Sequence, residues 1–342
     1  MQLKTLVLEN FRPFVKEKFE FNHRSVLLGG NGTGKSSVIE ALRLLSVGKS
    51  FRTSRFDECI SLSEAFFRLH ATLVNDSDKS LELFYGMPFP DYPEKERRLT
   101  LDGKEQNYLE YLGFFPSVVF TPNDIEIVLG SPQERRHYLD AVLWQVDAEF
   151  RQSSLKLSKT LRERSTILFM IKINRASHEE LKPWNEILTE LTVDIRAKRK
   201  KYLDFLNNFL VSAEDRLKVK TTYVEGENDL LKIEKDEIRL SQNLYGPHRD
   251  DFEIVVNSRS GRRFASRGQA RTAAVLLKMA EADYLESHAP TKPLILLDDL
   301  FSELDETNSQ YLLDKLNKDY QVVATATHDN PQLKGWYHQE LK

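Results

Sequence analysis

A glycine-rich stretch near the amino terminus, Gly29–Ser36, constrains this chain more than any other feature. It reads G-x-x-x-x-G-K-S, follows the apolar run Ser25–Leu28 and precedes the amphipathic stretch Ser37–Leu45. Glycines let backbone N–H groups turn inward around phosphates, and a helix that begins near Lys35 directs its positive dipole end at the same anion. The sequence therefore predicts a strand, a phosphate-binding loop and a helix, with a chance glycine-rich turn as the alternative.

The residue types of this loop suit a nucleotide such as ATP and its Mg²⁺ ion. Lys35 should reach the outer phosphates, and the Ser36 hydroxyl should coordinate the metal. Arg12 is close in sequence and either faces the nucleotide or is a solvated turn residue, since spacing alone does not decide. The predicted nucleotide-binding residues of the loop are Gly29, Gly30, Asn31, Gly32, Thr33, Gly34, Lys35, Ser36 and Ser37.

A second part of the same site is predicted near the carboxyl terminus. The apolar run Leu294–Leu297 is typical of a buried parallel strand, and it ends in Asp298 and Asp299. Phosphate-loop ATPases hold Mg²⁺ with a carboxylate at such a position, so we assign Asp298 to the metal and Asp299 to a general base that orients water. His328 follows another predicted strand and is placed to sense a γ-phosphate. Without the glycine loop, two solvated acids after a core strand would be the simpler explanation.

Composition limits the class of protein. The chain has 342 residues, enough for two or three packed lobes, and a formal net charge of −3. No overall positive field would recruit nucleic acid, so any DNA contact needs a local basic surface. The single cysteine, Cys59, excludes an intrachain disulfide. With no signal-peptide pattern and no apolar run of membrane-spanning length, we expect a cytoplasmic protein with no membrane association.

Two helical stripes of apolar residues occupy the middle of the chain, over residues 139–168 and 181–209. The short break between them predicts an antiparallel helical hairpin about 45–50 Å long. The second helix carries the basic run Arg196–Lys201. Such a run is most often a solvated face, with DNA contact as the alternative. The charged stretch 225–236 is predicted to be a connector.

In chain order, the sequence presents the glycine loop, the helical insert, Ser-Arg-Gly-Gln at a helix start, Leu-Leu-Asp-Asp, Ser-Glu-Leu-Asp and a terminal Thr-His. This order resembles the ABC-type ATPases of the SMC class and, among them, the RecF family of bacterial recombination and repair ATPases. The blocks that carry the resemblance to that family are Leu8–Arg12, Phe120–Asp124, Gly130–Arg136, Tyr245–Asp251 and Ser266–Arg271.

The resemblance implies an α/β fold, a phosphate-loop ATPase head of the ABC/SMC type whose sheet is split between the two ends of the chain. The helical hairpin would be a second lobe, equivalent to a short stub of the SMC coiled coil. On this basis we expect three segments. They are the amino-terminal part of the head (residues 1–130), the helical arm lobe (131–240) and the carboxyl-terminal part of the head (241–342).

The resemblance also implies a composite active site. Ser266, Gly268 and Gln269 of one subunit would close over ATP held by the glycine loop of another. Asp305 would lie at the same dimer interface. His328 would be the switch histidine, and Arg12 would lie near the α-phosphate or base of the nucleotide.

Three departures from the pattern affect these expectations. Arg267 replaces the first glycine of the broader Leu-Ser-Gly-Gly-Gln signature, as RecF-like sequences permit. Asp299 stands where the usual catalytic residue is a glutamate, and its shorter reach predicts slow hydrolysis. The glutamine expected to bridge Mg²⁺ and water has no clear match, although Asn123 occupies that region.

The function implied is ATP-driven homodimerisation that clamps duplex DNA near single-strand gaps and junctions. Slow hydrolysis would release the clamp. Partners of the RecO and RecR type would then help to load recombinase on the gap, in recombinational repair and replication restart. The alternatives are an ATP-gated scaffold with little hydrolysis, a transporter-type ATPase subunit and a small-molecule phosphotransferase. Candidate DNA-contacting residues are Arg52, Arg55, Lys198, Arg199 and Lys200.

Overall fold

The computed structural model describes residues 1–74, 77–88, 95–213, 217–302, 306–316, 319–328 and 330–341. The chain forms two compact units. One unit combines Met1–Asp124 with Lys278–Lys342, and the other is Ile125–Leu277.

The first unit contains an antiparallel sheet built from hairpins. In β4 every second residue is buried, because alternate side chains of a strand point to opposite faces. Leu69 of this strand pairs with Leu8 on one side and Leu83 on the other, so the buried face continues across the sheet. The strands, in spatial order, are β2 (Phe14–Glu20), β1 (Gln2–Phe11), β4 (Phe66–Val74), β5 (Asp78–Gly86), β6 (Glu96–Leu101) and β7 (Lys104–Glu105).

A parallel sheet in the same unit joins the two ends of the chain. Its strands, in spatial order, are β14 (Tyr337–Glu340), β3 (Arg24–Leu28), β13 (Val322–Ala326), β12 (Leu294–Leu297) and β8 (Ser117–Phe120). Every residue of β8, β12 and β13 is buried, as expected of strands covered on both faces. The split of the sheet between the two chain ends is therefore confirmed.

Helix α1 (Lys35–Val47) packs against strands of both sheets. Its apolar residues belong to one core cluster together with Leu69 of the antiparallel sheet and Leu296 and Val323 of the parallel sheet. A helix covered in this way buries polar side chains as well, and these need partners inside the protein. The other helices of this unit are α2 (Tyr108–Tyr111), α10 (Glu306–Lys315) and the last part of α9 (Arg267–His288), from Lys278 onward.

The second unit contains the predicted helical hairpin. Ser153 of the first long helix contacts Asp194 of the second, and Arg164 contacts Asn185, so the residue numbers run in opposite directions and the helices are antiparallel. The helices of this unit are α3 (Ile125–Leu129), α4 (Pro132–Val146), α5 (Ala148–Lys172), α6 (Lys182–Ser212), α7 (Leu230–Leu240), α8 (Gly261–Phe264) and the first part of α9 (Arg267–His288). Its sheet has the order β11 (Arg259–Ser260), β10 (Asp251–Val256) and β9 (Val219–Val224).

Two of the family-like sequence blocks, those that contain Arg135 and Asp251, are joined by an ion pair in this unit. Arg135 donates from Nε and Nη2 to the two carboxylate oxygens of Asp251, at 2.7 and 2.8 Å. Arg196 of α6 donates in the same two-pronged way to Asp250, at 2.9 and 2.8 Å. Burial favours a raised pKa for Asp250, but hydrogen bonds from Arg196 and from other donors bring its pKa below the usual value.

The structure differs from the expected segments in three places. The second unit begins at Ile125 and not at residue 131. The second unit continues past residue 240 to Leu277, because β10 pairs along its whole length with β9. The stretch 225–236, expected to be a connector, contains most of α7. The stretch was interpreted as a connector because of its many charges, although its apolar residues lie on one side of a helix. The buried residue of α7 is Glu237, which receives a hydrogen bond of 2.8 Å from Arg164 of α5. Within the described ranges, no helix is long and apolar enough to cross a membrane.

Candidate nucleotide-binding site

The glycine loop connects β3 to α1, as predicted. Gly32 and Gly34 have left-handed backbone, with φ of +84° and +97°. A Cβ on Gly34 would lie 2.5 Å from Cζ of Phe14, so no larger residue fits there. The N–H groups of Ser37 and Val38 donate to the Gly34 carbonyl and close the first turn of α1. The amino-terminal end of the helix is thus held against the loop, where its dipole favours an anion.

Lys35 is folded back onto the loop. Its ammonium donates to the carbonyl oxygens of Gly29 and Gly30, both at 2.7 Å, and the residue is 7% exposed. Thr33 also bonds inward, from Oγ1 to the Gly30 carbonyl at 3.1 Å. These contacts give the loop a fixed shape with one buried positive charge.

Ser36 joins the loop to the end of β12. Its hydroxyl donates to Oδ1 of Asp298 at 2.8 Å, and Thr325 of β13 donates to the same oxygen at 3.1 Å. Burial raises the pKa of Asp298, and the two hydroxyl donors offset only part of that effect. The two distant parts of the predicted site therefore meet at one carboxylate. Thr325, which holds that carboxylate, was not among the predicted site residues.

The residues after β12 and β13 lie at the same edge of the sheet, because parallel strands end together. Asp299 has a left-handed backbone (φ 48°), and its N–H donates to Thr325 Oγ1 at 2.7 Å. His328 follows β13, which lies between β3 and β12, and its side chain is exposed. A cavity of about 390 Å³ opens at the loop, lined in part by Arg12, Asn31, Lys35, Ser36, Arg52 and Asp299.

Arg12 lines this cavity but is bound to α1. Its Nε and Nη2 donate to the two carboxylate oxygens of Glu40 at 2.9 and 2.7 Å, and its Nη1 donates to the Glu58 carbonyl. Glu40 is 0% exposed and also accepts from the Ser50 hydroxyl. Sequence reasoning missed Glu40. An acid within the apolar pattern of α1, close behind the lysine of the loop, is the signal that could have found it.

The structure places Arg52 at the cavity beside the glycine loop. Its Nη1 lies 3.4 Å from Ser37 Oγ and 3.4 Å from Glu40 Oε2. Arg55 is exposed and paired with Asp57 at 2.6 Å. The guanidinium of Arg52 therefore points to the loop and to a buried carboxylate, and its role in DNA contact stays a prediction.

Acidic side chains pair with three residues of the basic run on α6, and the role of the run in DNA contact stays a prediction. Arg199 is 3% exposed and donates from Nε and Nη2 to Asp140 at 2.8 and 2.9 Å. Lys198 bonds to Asp147 and to Glu149, each at 3.0 Å. The ammonium of Lys200 is paired with Glu225. None of these three residues presents the free positive charge that DNA contact was expected to use.

The Ser-Arg-Gly-Gln segment begins α9 in the second unit. The Ser266 N–H donates to Oε1 of Gln269 at 3.0 Å, and the Gln269 N–H donates to Ser266 Oγ at 3.2 Å. This reciprocal capping fixes the first turn of the helix. Gly268 is exposed, and a Cβ there would meet nothing closer than Ser266 Oγ at 4.0 Å. Asp305 lies outside the described residues, and Asn123 is exposed in a short 3₁₀ turn after β8.

Two side-chain oxygen atoms at the loop could act as ligands of a Mg²⁺ ion that binds together with a nucleotide. Among the residues that the structure describes, no group of three or more His, Cys, Asp or Glu side chains is placed to hold a metal. Mg²⁺ usually takes one or two protein oxygens and completes its shell with phosphate and water. The adjacent oxygens of Ser36 and Asp298 satisfy that requirement.

The comparisons with known proteins agree with this geometry. A family model described as the RecF/RecN/SMC N-terminal domain matches residues 2–336. The chain belongs to the RecF/RecN/SMC family. It is 35% identical over 353 residues to the DNA replication and repair protein RecF of Caldanaerobacter subterraneus, covering 96% of this chain and 94% of that one. It is 30% identical over 351 residues to the RecF of an Exiguobacterium species, covering 96% and 93%. The predicted resemblance to RecF is confirmed.

Solved structures of RecF have the same fold. Two structures of the recombination mediator protein RecF in the RecFOR pathway, designated RecF-ATPrS and RecF-ATP, match with TM-scores of 0.90 and 0.86. Their identities are 31% and 32%, and the matches cover 99% and 96% of this chain and 96% and 93% of those chains. An Smc head bound to the C-winged helix domain of ScpA matches with a TM-score of 0.50 at 15% identity, covering 96% of this chain and 90% of that one, which shows a shared fold alone.

Proposed function

We propose that this chain binds ATP with Mg²⁺ at its glycine loop and that bound ATP drives two copies to close around DNA. The observation that carries the proposal is the 2.8 Å hydrogen bond between Ser36 and Asp298, next to the buried ammonium of Lys35. This contact brings two oxygen atoms of the kind that Mg²⁺ prefers to the same helix end as a positive charge, which supports the proposal. RecF relatives with structures designated RecF-ATP and RecF-ATPrS support ATP as the nucleotide.

Each residue of the site has a distinct proposed role. The loop N–H groups and Lys35 bind the phosphates, and Ser36 and Asp298 hold Mg²⁺. The ion, when bound, neutralises charge on the outer phosphates. Asp299 orients the attacking water, and His328 senses the γ-phosphate from the same sheet edge.

The second copy would complete the site with Ser266, Gly268 and Gln269. A serine hydroxyl, a glycine N–H and a helix amino terminus all suit a γ-phosphate. No contact within the described chain requires glycine at position 268, since a Cβ there would meet open space. A residue without a side chain at this position would let an external group approach the backbone closely. We place Asp305 at the same interface.

The closed dimer would hold duplex DNA and junctions between single and double strands, in the cytoplasm where the DNA is. Hydrolysis would release the clamp, slowly if the short side chain of Asp299 is the only base. Mediators of the RecO and RecR type would act with it to load recombinase on gaps. The names of the relatives, DNA replication and repair proteins, support this class of function over a transporter-type subunit or a phosphotransferase.

An ATP-gated scaffold with little hydrolysis is a second candidate, because an aspartate stands at the base position. Single-turnover hydrolysis by the wild type and by Asp299→Asn separates the two. An ATPase loses turnover in the variant and keeps ATP binding. A scaffold shows no turnover in either protein.

Dimer formation is tested by light scattering without nucleotide, with ADP and with ATP–Mg²⁺. The proposal predicts that mass doubles only with ATP–Mg²⁺, and that Ser266→Arg binds ATP but stays monomeric. Ser158→Arg, on an exposed position of α5, is the matched control and should dimerise as the wild type does. The composite site is contradicted if the mass of the wild type does not change with ATP–Mg²⁺ at any workable concentration, or if Ser266→Arg dimerises as the wild type does.

A further inference from the structure

One long stretch of this acidic chain has no acidic residue. From Ile254 to Ala280 there are five arginines and one lysine and no Asp or Glu, although the whole chain has a net charge of −3. The stretch contains β11, α8 and the start of α9. Positive charge concentrated in this way is what attracts a polyanion to a protein of negative net charge.

Three of these arginines are free of partners. Arg259, Arg262 and Arg263 are exposed, and their side chains form no hydrogen bond or ion pair with any other residue that the structure describes. The basic run of α6 is the opposite case, since Lys198 and Lys200 are both paired with carboxylates. An ion pair within the protein must be broken before a phosphate can be bound, whereas a solvated arginine needs no such exchange.

The fold presents these side chains from a fixed turn. A Cβ on Gly261 would lie 2.9 Å from the Ile254 carbonyl oxygen and 3.1 Å from Cγ1 of Val128, so the missing side chain lets α8 sit directly on β10 and α3. The Ala265 N–H closes the turn on the Gly261 carbonyl at 3.0 Å. Phe264, at the end of the turn, is 64% exposed.

The surroundings of the turn are mostly open to a ligand. A cavity of about 380 Å³ lies beside Arg262, Arg263 and Phe264. Two acids, Asp251 and Glu253, also border it. The charge of Asp251 is already neutralised by Arg135. Glu253 contributes one negative charge beside the two positive charges of Arg262 and Arg263, so positive charge remains in excess.

We infer that Arg259, Arg262, Arg263 and Phe264 form a binding surface for the phosphodiester backbone of nucleic acid, here called the arginine surface. Guanidinium groups bind phosphate oxygens in a planar, two-pronged geometry, and an exposed phenyl ring can stack on a base at a single-stranded end. An acidic protein would also meet the charge, but the exposed ring between arginines favours nucleic acid. The inference rests on the proposed function and deepens it by naming the surface that meets DNA.

The arginine surface also explains how ATP could control DNA binding. Arg263 lies three residues before Ser266 in the sequence, and the turn of α8 leads directly into the capped start of α9. A second copy that engages Ser266 would therefore bring two arginine surfaces to the same dimer interface. Two surfaces acting together bind a duplex more tightly than one alone, through the higher effective concentration of the second contact.

The test is fluorescence anisotropy of a labelled gapped duplex with ATP–Mg²⁺, across a salt series from about 50 to 200 mM. The double variant Arg262→Gln/Arg263→Gln should lose about two units from the slope of log Kd against log salt, since each phosphate contact contributes about 0.9. The same relation predicts binding about 30-fold weaker at about 150 mM salt. The matched control, Lys198→Gln/Lys200→Gln, removes the same charge from ion-paired positions and should leave the slope unchanged.

Light scattering with ATP–Mg²⁺ on the same proteins separates the surface from dimer closure. A double variant that dimerises and binds DNA as the wild type does overturns the inference and leaves the proposed function intact. A wild type that dimerises but binds no DNA overturns both. If the double variant also fails to dimerise, Arg259→Gln decides, because a slope reduced by about one supports the surface and an unchanged slope overturns it. If the double variant loses binding to poly-glutamate but retains DNA binding, the partner is an acidic protein and the inference is overturned.

Discussion

Replacement of Glu40 by glutamine should strongly destabilise the first unit, although no sequence motif singles out this residue. The carboxylate is 0% exposed. It accepts two hydrogen bonds from Arg12, at 2.9 and 2.7 Å, and one from Ser50. Arg52 adds a longer contact at 3.4 Å. Glu40→Gln keeps the shape of the side chain and removes the charge that all these donors share.

The magnitude follows from the burial of the pair. Removing one partner of a buried ion pair costs about 3–5 kcal/mol, because the other charge is left without compensation. The side chains of Arg12 and Arg52 keep 19% and 43% exposure, so water solvates part of their charge. We therefore expect the low end, about 3 kcal/mol. The hydrogen bond to Glu40 raises the pKa of Arg12 in the wild type. Arg12 also stays charged in the variant, because an ordinary arginine remains protonated at neutral pH.

The assay is urea unfolding followed by Trp336, which is in the first unit. Trp144 and Trp184 are in the second unit and are replaced by phenylalanine in all proteins compared. With a slope of about 2–3 kcal/mol per M, a loss of about 3 kcal/mol lowers the midpoint by about 1–1.5 M.

Glu58→Gln is the matched control. Its side chain is 47% exposed, and Arg12 bonds only to its backbone carbonyl, so we expect a change below about 0.5 kcal/mol. Equal midpoints for the wild type and Glu40→Gln, or equal shifts for the two variants, would refute the reasoning.

Two further predictions concern the loop and its metal ligand. Burial raises the pKa of Asp298 above 3.8. Below pH 3.8 this group is protonated in both the folded and the unfolded states. Above pH 3.8 it ionises first in the unfolded chain, so the free energy of unfolding falls as the pH rises to the raised pKa. In a pH series of urea midpoints, Asp298→Asn should not show that fall. The variant should also lose Mg²⁺-dependent ATP binding in calorimetry. A fall in the midpoints of Asp298→Asn as steep as that of the wild type would contradict the prediction. Gly34→Ala should abolish ATP binding in calorimetry, because φ at this position is +97° and the new Cβ would lie 2.5 Å from Phe14. The control is Gly103→Ala, in a hairpin turn with positive φ and open space around it. This variant should bind ATP normally.

Much of the nucleotide site could be predicted from the sequence, because local spacing specifies it. A strand, glycine loop and helix in immediate succession place Lys35 and Ser36, and an apolar run that ends in an acid places Asp298. The geometry confirms that Ser36 and Asp298 meet, although 262 positions separate them in the chain. Parallel strands that end at a common edge are the physical reason that such distant residues converge.

The parts that could not be predicted depend on partners far away in the sequence. The run at 198–200 looks like a free basic face until Asp140, Asp147 and Glu225 are placed beside it. The buried Glu237 of α7 likewise depends on partners elsewhere in the chain, namely Arg164 and the N–H groups of Leu244 and Tyr245. Charge patterns show which groups are present, and the fold decides which of them remain free.

We propose that each active site is shared between two copies, and a mixing experiment tests this sharing most directly. Lys35→Ala lacks the phosphate-binding charge, and Ser266→Arg blocks the group that would act on the partner. In a symmetric dimer of the two variants, one site carries both defects and the other carries neither. Each variant alone should therefore be inactive, while the equimolar mixture should recover up to about one quarter of the wild-type ATP hydrolysis per chain. Light scattering of the mixture with ATP–Mg²⁺ shows whether mixed dimers form. No recovery in a mixture that contains dimers, or full hydrolysis by Ser266→Arg alone, would contradict the shared site.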